Sequence, residues 1–215
     1  MSNKHETETG AEFINPTHLR HVMRYVKAAY VILNDAKISD NNITNLSILD
    51  AACGTGYGSN VIFNVVKSLK QPNILGIDFC DEALEFARDN YSDECIRFEK
   101  HDILRRLECS EQFDVVISIE TIEHFSRIDI EHYLDTLLGV LKHDGLFIVS
   151  TPYCEQSGPS PIVKQHLYEF NIDEFCSLLT NRGLNILRID LDHKPGKAGR
   201  LGYAMAVCRK IKEVS

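Results

Sequence analysis

No stretch of this 215-residue chain approaches the roughly 20 consecutive apolar residues that a membrane-crossing helix needs, so no membrane span is expected. The opening MSNKHETETGAEF is polar and mixed in charge, and it lacks the apolar core of a secretory signal. No two cysteines stand in CxxC spacing and the total of seven is odd, which argues against a disulfide framework and a zinc knuckle. Reduced thiols in a cytoplasmic protein are the expectation. A basic excess is also missing. The net charge is -8, whereas a general phosphate-backbone binder needs cations to displace counterions. Nucleic acid is therefore disfavoured as a partner, and a small-molecule substrate is expected, handled by a monomer or homodimer. Neither solenoid-length repeats nor low-complexity tracts occur. What remains is a composition ordinary for a globular protein, 44% apolar and 25% charged, with length enough for one buried core.

Residues 1–14 read as a flexible tail, and residues 15–213 as a single domain. Asn15 as cap and Pro16 at the first helical position start a helix over 15–35. Leu19, Val22, Val26, Ala29 and Leu33 give it an apolar stripe. A polar connector runs from Asp35 to Leu46. The period then changes. Short strands are expected at Leu46–Ala51, Asn73–Asp78, Ile96–Asp102, Phe113–Glu120 and Gly145–Thr151. Helices alternate with them, at Tyr57–Leu69, at DEALEFARDN and at Ile130–Leu141. Such alternation implies right-handed crossovers and a mostly parallel, Rossmann-like α/β sheet with helices on both faces. The end differs: a helix at Ile172–Thr180 precedes strands at Leu184–Asp192 and Gly202–Arg209. The turn-forming HKPGKAGR lies between those strands and predicts an antiparallel hairpin.

The stretch LDAACGTGYGS joins the first strand to its helix. Its glycines, Gly54, Gly56 and Gly58, are spaced GxGxG. The dinucleotide fingerprint is GxGxxG, and a phosphate-cradling Walker loop ends in Gly-Lys-Ser/Thr, neither of which is present. The turn therefore suits a ligand without phosphates that approaches the backbone closely. Asp50, ahead of the turn, can accept from an ammonium, directly or through water. Asp78 ends the second strand, where an acid accepts both hydroxyls of a ribose. Asp102 ends the third, placed for an exocyclic adenine amine. An amino acid joined to an adenosine without phosphates describes S-adenosylmethionine.

Over nearly its whole length from residue 15, the chain resembles the class I S-adenosylmethionine-dependent methyltransferases. LDAACGTGYGS resembles that family's first motif, GIDFC the second, KHDI the third and FDVVISIETIEHF the fourth; LKHDGLFIVSTP resembles the strand region beyond. The resemblance implies seven strands in the order 3-2-1-4-5-7-6, with strand seven antiparallel. It assigns cofactor roles to Asp50, Ala52, Gly54, Gly56, Asp78, Phe79, Asp102 and Ile103. Phe79 would pack on ribose or adenine and Ile103 beneath the adenine, while Ser118 and Ile119 would line the methionine side. Arg24 and Tyr25 resemble a lid-helix feature of some members, in which Arg24 meets the methionine carboxylate; a solvent-facing arginine is the alternative.

A second constellation comes after the fourth strand. In Glu120-Thr-Ile-Glu123-His124 a helical turn would put two carboxylates and an imidazole on one face. They would lie at the strand's C-terminal edge, where open α/β sheets bind ligands. His166 lies in a loop from Thr151 to Leu167, with three prolines and a glycine, that should cover the same edge. ExxEH with a later histidine resembles small-RNA 3′-terminal 2′-O-methyltransferases and ubiquinone-pathway O-methyltransferases. One reading is a divalent cation, Mg²⁺, Mn²⁺ or Zn²⁺, held by Glu120, Glu123, His124 and His166. A second makes His124 or His166 a metal-free general base, with Glu123 beside it. A third is purely local capping and packing. EH after strand four also occurs in sugar and polyketide O-methyltransferases.

The fourth motif carries SIETIEH. The (D/N)PP(Y/F)-like run of base N-methyltransferases is absent, so an oxygen nucleophile is preferred. The expectation is O-methylation of a sugar, nucleotide-sugar or phenolic/isoprenoid hydroxyl. RNA 2′-O-methylation and a non-catalytic cofactor-binding scaffold are the competing readings. Lys194, Lys197 and Arg200 form the one local basic cluster, read as a solvated hairpin turn or a phosphate contact.

Overall fold

The computed structural model describes residues 19–35, 38, 45–68, 71–107, 111–193 and 199–211. The expected tail, the Asn15–Pro16 helix start and both Lys194 and Lys197 lie outside these residues. The seven strands take the order β3-β2-β1-β4-β5-β7-β6. By their contacts the residues fall into two units, 1–103 and 104–215, each described in turn.

The first unit holds α1 (Leu19–Asn34), β1 (Asn45–Ala51), α2 (Tyr57–Val66), β2 (Gln71–Asp78), α3 (Asp81–Tyr91) and β3 (Ile96–Lys100). β1, β2 and β3 are parallel, with Ile48 opposite Ile74 and Ile74 opposite Ile96. Leu46, Ile48, Leu49 and Ala51 of β1 are all buried, the continuous apolar burial of a strand covered on both faces. β3 stops at Lys100, two residues short of expectation, because its register with β2 ends opposite Asp78. The backbone N–H of His101 still donates to the Asp78 carbonyl at 2.8 Å.

Of the expected stripe on α1, Ala29 is buried and Val22, Val26 and Leu33 are half-buried. Leu19 is 62% exposed, while Tyr25, Ala28, Ala29 and Ile32 are buried. The most buried face is turned slightly from the expected stripe and carries Tyr25, Ala28, Ala29 and Ile32. It approaches α2 closely: a Cβ at Gly58 would lie 2.2 Å from the Tyr25 ring. Burying Ile32 fully contributes roughly 1.5–3 kcal/mol.

The second unit holds β4 (Phe113–Ile119), a 3₁₀ turn (Ile122–His124), α4 (Asp129–Val140), β5 (Leu141–Cys154), α5 (Ile172–Asn181), β6 (Leu184–His193) and β7 (Arg200–Lys210). β4 and β5 are parallel. The expected hairpin forms: β6 pairs antiparallel with β7, which pairs antiparallel with β5. Within this unit β7 is thus the one reversed strand. β5 is twice the expected length and runs through Pro152. Its pairing with β4 ends at Ser150, so the missing N–H at Pro152 leaves no β4 acceptor unpaired. Among the described residues no helix is long and apolar enough to cross a membrane, and all six described cysteines are free thiols.

Gly58→Ala tests the α1–α2 contact. The added methyl favours the helix by about 1 kcal/mol on propensity alone, yet the Tyr25 ring is in its way. Urea unfolding is expected to show a net loss of about 1–3 kcal/mol; wild-type stability would disprove the packing.

Candidate active site

The glycine turn leaves β1 through three left-handed residues: Ala52 (φ 60°), Gly54 (φ 54°) and Gly56 (φ 77°). Gly56 also caps α2. The turn is tied to the end of β2, with Cys53 N–H donating to the Ile77 carbonyl at 2.9 Å. Asp78 adds a brace: one carboxylate oxygen accepts from Gly54 N–H at 2.8 Å, the other from Cys80 N–H at 3.0 Å. The three glycines do different work. A Cβ at Gly56 would lie 2.6 Å from the Phe98 ring, and one at Gly58 would strike Tyr25. At Gly54 a Cβ would meet nothing within 4 Å among the described residues. Close ligand approach is therefore available at Gly54, while Gly56 and Gly58 serve packing.

The acids at the strand ends also separate. Asp50 is fully buried, accepting from Ser59 Oγ at 2.7 Å and from the Tyr25 hydroxyl at 3.3 Å. These two bonds tie it to α1 and to the start of α2. Burial pushes its pKa up to about 6, against the two hydroxyl hydrogen bonds and with the charge of Asp78. Asp78 is 9% exposed, Asp102 lies exposed past the end of β3, and Ile103 is buried. Phe79 is 72% exposed directly after β2, an aromatic face available to a ligand. Arg24 is 7% exposed, so the solvent-facing alternative does not hold, and Tyr25 beside it is buried. In the second unit Ser118 and Ile119 are the last residues of β4, both buried.

Beyond β4 the chain turns through Glu120 in the left-handed region (φ 55°). Glu120 is held to β5. Its N–H donates to the Ser150 carbonyl at 3.1 Å, and Ser150 Oγ donates to its carboxylate at 2.8 Å. Only then does the 3₁₀ turn begin. The expected shared face of Glu120, Glu123 and His124 therefore does not form, because Glu120 precedes the helical residues and is turned onto Ser150. Glu123, His124 and His166 do come together, with one donor atom of each within 4.8 Å of the others. The imidazoles meet edge to face, centroids 5.0 Å apart. Glu123 is fully buried.

The ring nitrogens can be assigned from their partners. His124 Nδ1 lies 3.1 Å from the Gln165 carbonyl and His166 Nδ1 lies 2.7 Å from a Glu169 carboxylate oxygen. The Gln165 carbonyl only accepts, which puts a proton on His124 Nδ1; His166 Nδ1 also lies 3.1 Å from an Arg200 nitrogen, and its shorter approach to the carboxylate favours a proton there too, so that in the neutral rings Nε2 is the nitrogen left with a lone pair. Burial lowers the His124 pKa, His166 lowers it further, and the Gln165 carbonyl opposes both. Two residues join the site that sequence reasoning does not find, Glu169 and Arg200. Glu169 is 3% exposed and its carboxylate also pairs with the Arg200 guanidinium. Burial would raise its pKa, but hydrogen bonds from His166, Arg200 and Ser160, with the Arg200 charge, bring it down to about 2. Arg200 is thus no solvated turn cation: its side chain is 14% exposed and committed to Glu169. The i, i+3 spacing of His166 and Glu169 is the one available signal; nothing local points to Arg200. The loop after β5 carries both His166 and Glu169, closed by mutual backbone hydrogen bonds between Gly158 and Glu169 at 2.9 and 2.8 Å.

A family model described as a methyltransferase domain matches residues 43–187. A protein of Mycolicibacterium smegmatis named as a probable S-adenosylmethionine-dependent methyltransferase is 29% identical over 143 residues, 65% of this chain and 52% of that protein. A ubiquinone biosynthesis O-methyltransferase of Rickettsia bellii is 32% identical over 143 residues, 64% of this chain and 51% of its own. The chain spans about half the length of the curated relatives it matches. Among solved structures, the methyltransferase domain of bacterial CtHen1-C aligns with a TM-score of 0.66 over 89% of this chain and 99% of that domain, at 19% identity, a likeness of fold.

The surroundings of Asp50 set a pH dependence. Its folded pKa, about 6, lies above its ordinary 3.8. The folded state therefore binds more protons across this window, and stability falls as pH rises from about 4 to about 6, by on the order of 2–3 kcal/mol. Asp50→Asn, which keeps hydrogen-bonding groups and removes the charge, should flatten that fall in urea unfolding measured at pH 5 and pH 8. An unchanged difference between the two pH values would contradict the buried-carboxylate account.

Proposed function

The chain belongs to the class I S-adenosylmethionine-dependent methyltransferases, and from that premise we propose that it methylates a hydroxyl oxygen of a small molecule. S-adenosylmethionine supplies an electrophilic methyl on a positively charged sulfur. Most of the residues that fit it are in the first unit. Gly54 leaves open space at the turn and Asp78 presents a carboxylate at the end of β2. Phe79 offers an exposed ring and Asp102 a second acid beyond β3. Ala52, Ile103, Arg24 and Tyr25 complete the proposed cofactor contacts in this unit, and Ser118 and Ile119, at the end of β4, are the candidates of the second unit.

The observation that carries the oxygen-acceptor reading is the meeting of two imidazoles with buried Glu123, one donor atom of each within 4.8 Å of the others, while both Nδ1 atoms face acceptors and so point to Nε2 as the free nitrogen of each ring. Two neighbouring lone pairs and a carboxylate repel one another unless something positive lies among them. A divalent cation satisfies all three, and two nitrogens with one oxygen suit Zn²⁺ or Mn²⁺ better than Mg²⁺. Such a cation would supply Lewis acidity that makes an acceptor hydroxyl more acidic. The chain's own part is to fix the donors: the 3₁₀ turn sets Glu123 and His124, and the loop after β5 brings His166. Glu120, tied to Ser150, holds the turn and is not counted among the donors. A metal-free alternative has its own support: the lowered pKa of His124 keeps its ring neutral and able to accept a hydroxyl proton. The name of the Rickettsia relative supports an oxygen acceptor; sugar and phenolic hydroxyls are the classes to try first.

Two measurements test this. By isothermal titration Asp78→Ala should weaken S-adenosylmethionine binding at least tenfold. Phe79→Ala should weaken it about fivefold, the worth of roughly 1 kcal/mol of stacking, with an unchanged melting temperature because the ring is exposed. Unchanged affinity in both variants would remove the cofactor assignment. Metal analysis of purified protein should find a divalent ion that His124→Ala and His166→Ala lose. Activity on a panel of hydroxylated metabolites should fall with EDTA. Full activity without metal would leave the His124 base as the working mechanism, and survival of the double histidine variant would eliminate both.

A further inference from the structure

The buried pair Glu169–Arg200 lies beside the donor cluster without belonging to it. Glu169 needs a partner, since a carboxylate 3% exposed is costly without one. Arg200, the first residue of β7, supplies that partner. The pair would be complete without His166. Yet His166 Nδ1 lies 2.7 Å from the same Glu169 oxygen that Arg200 Nη2 contacts, while Arg200 Nε lies 3.5 Å from the other carboxylate oxygen. His166 Nδ1 also lies 3.1 Å from an Arg200 nitrogen. An unprotonated Nδ1 would accept from that nitrogen, whereas a protonated Nδ1 shares a Glu169 oxygen with it; the closer approach of the carboxylate favours the second arrangement. Two carboxylate-directed donors converge there, and the imidazole is gripped between the loop that carries it and the strand that carries Arg200.

We propose that Glu169, anchored by Arg200, is the positioning residue of the site: it fixes His166 as the Nδ1–H tautomer and so reserves Nε2 for the reaction. The proposal rests on the reading of His166 as a nitrogen donor. A neutral imidazole carries its proton on the nitrogen whose hydrogen bond the surroundings favour. Without a carboxylate at Nδ1, the proton is free to sit on Nε2, where it blocks both cation binding and proton acceptance. His124 is fixed by a different device, the Gln165 carbonyl. Side-chain substitution at Glu169 therefore releases one imidazole and leaves the other.

The test is the tautomeric state of His166, read from long-range proton–nitrogen correlation spectra of histidine-labelled protein with neither substrate nor metal. Wild type and Glu169→Gln, whose amide oxygen still accepts, should show the Nδ1–H form. Glu169→Ala should shift His166 towards Nε2–H and leave His124 unchanged. Because Glu169→Ala strands the Arg200 guanidinium, Glu169→Ala/Arg200→Met is measured beside it and should show the same shift. In methyl transfer, Glu169→Ala should lose at least tenfold in kcat with KM within twofold, and Glu169→Gln should recover most of that loss. An unshifted His166 tautomer in both Ala-containing variants overturns the proposal. A shifted tautomer in a protein that methylates no hydroxyl upholds the positioning role and rejects the proposed function instead.

Discussion

A strand buried on both faces leaves little room for polar side chains along its length, so its chemistry gathers at or near its end. β1 and β4 are such strands, and both leave their buried stretch through left-handed backbone: Ala52 after β1, Glu120 after β4. Each is a residue other than glycine and carries strain of order 1 kcal/mol. Local bonds hold the strain in place. After β1, the Asp78 carboxylate grips the Gly54 amide. After β4, Ser150 holds Glu120 by backbone and side chain together. In each case the neighbouring strand of the same unit provides the grip, which makes the end of the strand a rigid platform for the turn beyond it.

Buried acids in the two units show how partners decide a carboxylate's state. Asp50 and Glu169 are both withdrawn from water. Asp50 has hydroxyl donors from Tyr25 and Ser59 and no cation, so burial prevails and its pKa rises. Glu169 has a guanidinium and an imidazole N–H, so pairing prevails and its pKa falls. Asp50 consequently serves cohesion, tying α1 and α2 to the end of β1. Glu169 retains its charge and can direct a histidine.

Much of this is legible in the sequence. The alternation of buried strands and helices, the reversed C-terminal strand, the glycine turn and the acid after β2 all come from local pattern. The expectations that fail share one cause, contacts that local spacing does not contain. The face α1 buries is turned slightly from its expected apolar stripe, with Tyr25 packed where Gly58 of α2 leaves room. Glu120 parts from Glu123 and His124 because i, i+3 spacing presumes a continuous helix, while the backbone there is left-handed and then 3₁₀. Arg200 resembles a turn cation because Glu169, 31 residues earlier, is invisible from the turn.

By itself the sequence determined the order of strands and helices, the steps at which chain leaves sheet, and the character of the methyl donor, because each depends on residues close together in the chain. Tertiary structure decided which glycine faces open space, which acids are engaged, and which partners the Nδ1 atom of each histidine meets. Those outcomes depend on single contacts a few ångströms long between residues far apart in sequence, and no local spacing encodes them.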